Sequence, residues 1–259
     1  MPERSRLRWL GALAFLACLL PALARADERE VVGRSLDGRP IVVFSDSAPN
    51  PALKVLVVGD IHGDEPAGMR IARRLIAARA PARTELLVVP TINPDGLAAG
   101  SRGNARGVDL NRNFPFRWRP LGGGEYSGTG PLSEPESRAA HRLILREKPD
   151  VTIWFHQPFG LIDKPEGNPF AARRFAELIG LPLVRLPGPY PGSASRWQNH
   201  TFPESTAFVA ELPRRVGSAL VRRGAAAGRT LAAEMADVGI GKRYPACRSH
   251  GRPLCIARR

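Results

Sequence analysis

Four short apolar runs, each closed by a turn-forming or polar residue, punctuate the chain at 53–58, 85–90, 151–155 and 207–210. They are continuous rather than alternating, which predicts strands buried on both faces of a sheet. Between and after them the apolar residues recur at helical spacing. The stretch 66–78 predicts a helix with Pro66 in its first turn, 133–146 one opened by the capping box Ser133-Glu134-Pro135-Glu136, and 168–179 one stopped by Gly180. A last helical stretch covers 216–236. Strands alternating with helices imply a single α/β domain with a largely parallel or mixed central sheet flanked by helices. The chain has no internal repeat. Its Gly- and Pro-rich stretches at 115–131 and 187–192 are expected to be long loops over one site rather than linkers between domains.

The N-terminus departs from this pattern. Arg4, Arg6 and Arg8 precede an apolar run at 9–20, and Ala24-Arg25-Ala26 offers small residues where a signal peptidase reads. The twelve-residue run would extend only about 18 Å as a helix, short of the roughly 30 Å of bilayer hydrocarbon. Residues 1–26 are therefore expected to be a secretory signal cut after Ala26, leaving residues 27–259 as a periplasmic or secreted domain with no stable membrane anchor. Phe15-Leu16-Ala17 is a poor lipobox for Cys18. Cleavage removes four Arg and one Glu, which takes the net charge from +14 to +11. Of the 38 basic residues 34 are Arg, a bias that an Arg- and Ala-rich genome explains without a polyanion partner. With 7% aromatics and no recognisable motif, nucleic-acid binding is disfavoured. After cleavage Cys247 and Cys255 are the remaining cysteines, in a Pro/Gly/Arg tail at 243–259. An oxidising compartment predicts a disulfide between them, worth roughly 2.5 kcal/mol on the chain-entropy account.

The chemistry gathers where the apolar runs end. His62, Glu65, His156 and Glu211 each stand at or just beyond the carboxyl end of a predicted strand, the edge at which open α/β sheets form their sites. His62-Gly63-Asp64-Glu65 sets an imidazole and a carboxylate in one strand-to-helix turn, and a second imidazole arrives from another strand at His156. Two His and one carboxylate make a catalytic zinc set, because three protein ligands leave a fourth tetrahedral position for water. His141 and His200 are expected to be non-catalytic, one inside a helix and the other in a polar loop; His250 belongs to the tail.

Further motifs follow in order: Asn93-Pro94-Asp95-Gly96, then Arg102, then the run Gly107-Val108-Asp109-Leu110-Asn111-Arg112-Asn113-Phe114-Pro115, and finally Glu211-Leu212-Pro213. Together with the HxxE pair and the strand-end His156, this series resembles the zinc carboxypeptidase family of carboxypeptidase A over roughly residues 55–213. The compact Arg-to-Pro block, Ser-Glu-Pro-Glu at Ser133 and Tyr-Pro-Gly-Ser at Tyr190 resemble its murein peptide amidase A branch, which cleaves the γ-D-glutamyl to meso-diaminopimelate bond. The resemblance implies a carboxypeptidase A-like fold and one Zn²⁺ per chain on His62, Glu65 and His156. It further implies Glu211 as general base, Arg102 on the oxyanion, Asn111 and Arg112 on the substrate's free carboxylate, and Tyr190 against substrate. Asp109 and Asn113 are expected to shape the loop by hydrogen bonds.

The expected activity is that of an exported zinc metallocarboxypeptidase or amidase acting on peptidoglycan-derived peptide. The alternatives within enzymes are a general peptide carboxypeptidase and an N-acyl amino acid deacylase. From another class, a catalytically dead cell-wall-binding module would account for the charge but would not need Glu211 beside all three ligands. Oligomeric state leaves no mark on the sequence.

Overall fold

The four apolar runs form the centre of one sheet in the computed structural model, which describes residues 28–238. The predicted signal at 1–26 and the Cys247–Cys255 pair lie outside the described residues. Eight strands take part: β1 (Glu28–Arg34), β2 (Pro40–Ser47), β3 (Leu53–Val58), β4 (Thr84–Val89), β5 (Val151–His156), β6 (Phe159–Asp163), β7 (Leu183–Val184) and β8 (Thr206–Pro213). Their order is β1-β2-β4-β3-β5-β8-β6-β7. β4, β3, β5 and β8 run parallel, whereas β2 meets β4 and β6 meets β8 antiparallel, so the sheet is mixed.

Alternate residues of the parallel strands enter two cores. Leu53, Val55 and Val57 of β3 face α1 (Ala67–Ile76), α4 (Phe170–Ile179) and α6 (Ser218–Val238). Leu56 and Val58 face the layer of α3 (Pro135–Glu147) and α5 (Ala194–Thr201), where Phe114, Trp154 and Trp197 pack. Each fully buried aliphatic or aromatic side chain of this kind contributes about 1.5–3 kcal/mol, which is why these strands are predominantly apolar. The same alternation places His156 with Trp154 and Glu211 with Ala207, so both of these predicted site residues rise on the α3/α5 side of the sheet. Among the described residues no helix is long and apolar enough to cross a membrane.

Three local expectations are corrected. Pro66 caps α1 from outside instead of occupying its first turn. The predicted capping box at 133–136 does not form: Glu134 is the N-cap of α3 and its side chain makes no cap bond. Those side chains hold loops instead, since Asn104 donates to Glu134 at 2.8 Å and to Glu136 at 3.1 Å, and Glu136 also accepts from the Leu36 amide at 3.0 Å. His200 sits in α5, not in a polar loop, and stacks on Phe116 at 4.2 Å.

Candidate metal centre and its cleft

The turn from β3 to α1 is held by a close backbone approach. A Cβ on Gly63 would stand 1.9 Å from the carbonyl carbon of Gly96, in α2 (Pro94–Ala99), so only glycine lets the two segments touch. Asn93 locks the arrangement. Its side chain accepts from the Gly96 amide at 3.0 Å, capping α2, and donates to the carbonyls of Ile61 at 3.1 Å and Arg102 at 3.2 Å. The Asn-Pro-Asp-Gly motif thus works as a clamp that fixes His62 and Arg102 relative to one another.

Three donor atoms converge above the end of the sheet. His62 Nδ1 lies 3.1 Å from Glu65 Oε2, His156 Nδ1 lies 3.0 Å from the same oxygen, and the two imidazole nitrogens are 3.2 Å apart. All three residues are buried. Ligands held at about 2.0–2.1 Å by a tetrahedral ion lie roughly 3.3 Å from one another, so the triangle fits zinc in size and in its N, N, O donor set. Hydrogen bonds from neighbouring groups fix the orientation of each of these donors. His62 Nε2 donates to Asp109 Oδ1 at 2.9 Å, which turns Nδ1 inward. The Gln157 amide donates to Glu65 Oε2 at 3.0 Å, while Gln157 Oε1 accepts from the Ala67 amide at 3.0 Å. Arg102 spans Glu65 Oε1 at 3.1 Å and Asp109 Oδ2 at 2.8 Å. Burial opposes charge on His62, but Asp109 and Glu65 outweigh it and push the imidazole up to about 9. Burial likewise opposes charge on Glu65, yet its bonds to His156 and His62 hold it well below the carboxylate range.

Glu211 lies beside this triangle, because β5 and β8 pair in parallel with His156 in register with Glu211. Its Oε2 is buried with no hydrogen-bond partner. Burial pushes its carboxyl up to about 7, and the Glu65 charge adds to the effect. The group is therefore poised to gain or lose a proton near neutrality.

A cleft of about 360 Å³ opens over these residues, with Asn111, Arg112 and Tyr190 along its wall. Asp109 Oδ1 caps the 3₁₀ turn Leu110–Arg112 through the Asn111 amide at 2.8 Å. Asn111 is fixed by the Ala194 amide, which donates to its Oδ1 at 3.0 Å. The Arg112 guanidinium is buried, donates to Asn111 O at 2.9 Å and pairs with Glu125 at 2.5 Å, with its Nε unpartnered. Tyr190, at φ +36°, packs against both Arg112 and Arg196, whose guanidinium carbons lie 5.3 and 5.1 Å from the ring centre. Asn113 donates to the carbonyls of Ser127 and Gly130 and to Ser133 Oγ, shaping the 115–131 loop. Sequence reasoning missed Gln157, Glu125 and Asp163, all of which line the cleft. Of these only Gln157 carried a signal, its place directly after the strand-end histidine.

Comparison with known proteins agrees with this geometry. A family model described as zinc carboxypeptidase matches residues 25–165. Murein peptide amidase A of Escherichia coli K12 is 34% identical over 183 residues, covering 65% of this chain and 75% of that protein. The crystal structure of murein-tripeptide amidase MpaA from E. coli O157 superimposes with a TM-score of 0.63 at 28% identity, over 82% of this chain and 93% of that one. Bovine thrombin-activatable fibrinolysis inhibitor shares the fold, with a TM-score of 0.67 at 19% identity over 82% of this chain and 90% of that one.

Proposed function

The chain belongs to the zinc carboxypeptidase family and is a hydrolase, and from that premise we propose that it is an exported murein peptide amidase, using one zinc ion to cleave the γ-D-glutamyl to meso-diaminopimelate bond. The observation that carries the catalytic reading is Glu211: a buried carboxylate with an unpartnered oxygen, in register with His156 and beside the His62–Glu65–His156 triangle. The amidase reading is supported by the 34% identity to an E. coli murein peptide amidase across three-quarters of that protein. Export is supported by the basic, apolar, small-residue pattern of residues 1–26, and with it go a periplasmic or secreted location and a Cys247–Cys255 disulfide.

His62, Glu65 and His156 would hold the zinc ion, which would supply Lewis acidity toward the scissile carbonyl and lower the pKa of water. Arg112 and Asn111 hold the free carboxylate of the residue on the leaving side, Arg112 exchanging Glu125 for the substrate carboxylate. Glu211 takes a proton from the attacking water and returns it to the departing nitrogen, so that water and amide become a carboxylate and an amine. Arg102 donates to the carbonyl oxygen as charge develops there, a task that draws it away from Glu65. Tyr190 closes the side of the cleft against the substrate.

The test is incubation of zinc-loaded protein with L-Ala-γ-D-Glu-meso-diaminopimelate beside an ordinary L-peptide, followed by product mass analysis. Release of free meso-diaminopimelate and L-Ala-D-Glu is expected. Cleavage of the ordinary peptide with the tripeptide left intact would overturn the amidase assignment in favour of a general carboxypeptidase.

A further inference from the structure

Neither Asn104 nor the Ser133-Glu134-Pro135-Glu136 stretch lines the cleft, yet the two meet in the interior between the segments that carry Arg102 and Arg112. The loop after Arg102 folds back on itself. A Cβ on Gly103 would stand 2.6 Å from the carbonyl carbon of Gly107, and Asn104 closes the loop from within. Its amide donates to Val108 O at 3.0 Å, and its Oδ1 accepts from the amides of Arg106 and Val108, each at 3.1 Å. Arg102 and Asp109 therefore leave the closed loop side by side, and Arg102 Nε donates to Asp109 Oδ2 at 3.0 Å.

The Asn104 Nδ2 group points the other way, donating to Glu134 Oε2 at 2.8 Å and to Glu136 Oε2 at 3.1 Å. Glu134 passes the connection on. Its Oε1 accepts from Ser133 Oγ at 2.8 Å, Ser133 Oγ accepts from Asn113 Nδ2 at 2.9 Å, and the Glu134 amide donates to Asn113 Oδ1 at 3.3 Å. Asn113 ends the 3₁₀ turn that carries Arg112. Asn104, Glu134 and Asn113 are all buried. A carboxyl offers two acceptor oxygens and no donor, and position 134 uses both, one for an amide NH₂ and one for a hydroxyl. Glu136 is no substitute, since its other oxygen accepts from the Leu36 amide. Burying such a group costs desolvation, and the cation paired with Glu134 among the described residues is the exposed Arg106, at 3.5 Å. Stability alone is a poor reason to keep it.

We propose that Glu134 is a positioning residue: by tying the loop of Arg102 to the turn of Arg112, it fixes the span between the guanidinium that meets the scissile carbonyl and the one that meets the free carboxylate. The proposal rests on the reading above, which gives the two arginines those roles. Arg112 also keeps its own bond to Asn111 O, so the freer partner is Arg102. Loss of Glu134 then acts on turnover through Arg102 and leaves substrate capture by Arg112 in place.

The experiment measures kcat, KM and zinc content for wild type, Glu134→Ala, Arg102→Ala and the double variant, on L-Ala-γ-D-Glu-meso-diaminopimelate. Glu134→Ala should lower kcat by about 10- to 100-fold, the cost of misplacing a reacting partner by about 1 Å. KM should stay within about twofold, and zinc content should match the wild type. In the Arg102→Ala background the same change should cost less than about twofold, because the group it positions is gone. Glu134→Gln keeps the volume and one acceptor oxygen, so its loss should be smaller; it carries the same cycle if the alanine variant does not fold. An unchanged kcat, a loss of equal size in both backgrounds, or a loss that tracks missing zinc overturns the proposal. Were the wild type to refuse the tripeptide, the murein reading would fall, and hippuryl-phenylalanine would serve as substrate in the same cycle to decide the role of Glu134.

Discussion

Glu211 combines two properties that oppose each other, burial and a vocation for charge. Its carboxyl stands at about 7 where an exposed glutamate titrates near 4.5, with desolvation the larger cause and Glu65 the second. In the proposed role of base it must be ionised, so kcat/KM should rise with pH through the titration of this group and fall on its acid side. Glu211→Gln should keep zinc and lower kcat by about two to four orders of magnitude. The same residue carries a stability signature. Because its folded-state pKa is raised, the unfolded chain releases this proton more readily, and ionised Glu211 destabilises the fold above pH 7. The cost fades as pH falls from about 7 towards 4.5. Metal-free Glu211→Gln should therefore be more stable than metal-free wild type at pH 8, on the order of 2–3 kcal/mol. Urea unfolding of the pair should show the gap closing by pH 4.5. A gap independent of pH, with kcat near wild type, would remove Glu211 from the role of base.

At the level of elements, the site depends on glycines that let backbones touch. Gly63 is the clearest instance, since any Cβ there would drive into the backbone of Gly96 and Leu97. Gly63→Ala should push the β3–α1 turn off α2, displacing His62 and Glu65 together. The expected result is zinc affinity reduced at least tenfold and a fold destabilised by about 1–3 kcal/mol, as for overpacked positions. Zinc titration and thermal unfolding check it, and a variant with unchanged zinc affinity would show that the turn tolerates the shift. The sequence made the centre of this architecture legible because β3, β4, β5 and β8 are largely buried on both faces and read as predominantly apolar runs. β1, β2 and β6 escaped because their burial is partial, with exposed and half-buried positions interspersed. α2 and α5, of six and eight residues, are too short for a helical period to declare itself. The false capping box had a different cause: tertiary partners, Asn104 and the Leu36 amide, outcompeted the helix terminus for Glu134 and Glu136. The candidate metal triad could be read from its strand-end placement, whereas Glu125 and Asp163 reach the cleft only through the ion pair with Arg112 and through the register of β6 on β8.

For the whole molecule, the triangle joins the β3–α1 turn to the end of β5, segments 91 to 94 residues apart in the chain. An ion binding there contacts the native state and finds no assembled site in the unfolded chain, so it stabilises the fold by mass action. At a free zinc concentration a thousandfold above Kd the gain is about 4 kcal/mol. For a domain of this size, that corresponds to a Tm higher by about 8–16 °C than that of the chelated protein. The pH dependence has a definite sign. Binding requires neutral imidazoles, yet His62 titrates at about 9, with burial opposing and Asp109 and Glu65 favouring its charge. Zinc must therefore expel a proton already at neutral pH, and this competition grows as pH falls. Calorimetric scans with and without chelator should show the Tm difference narrowing steadily from pH 8 to pH 5, with activity lost on chelation and restored by zinc. His156→Ala should abolish both the difference and the activity. A His156→Ala protein holding one zinc per chain with wild-type turnover, or a Tm difference that widens towards acid, would show that the triangle is not where the ion acts.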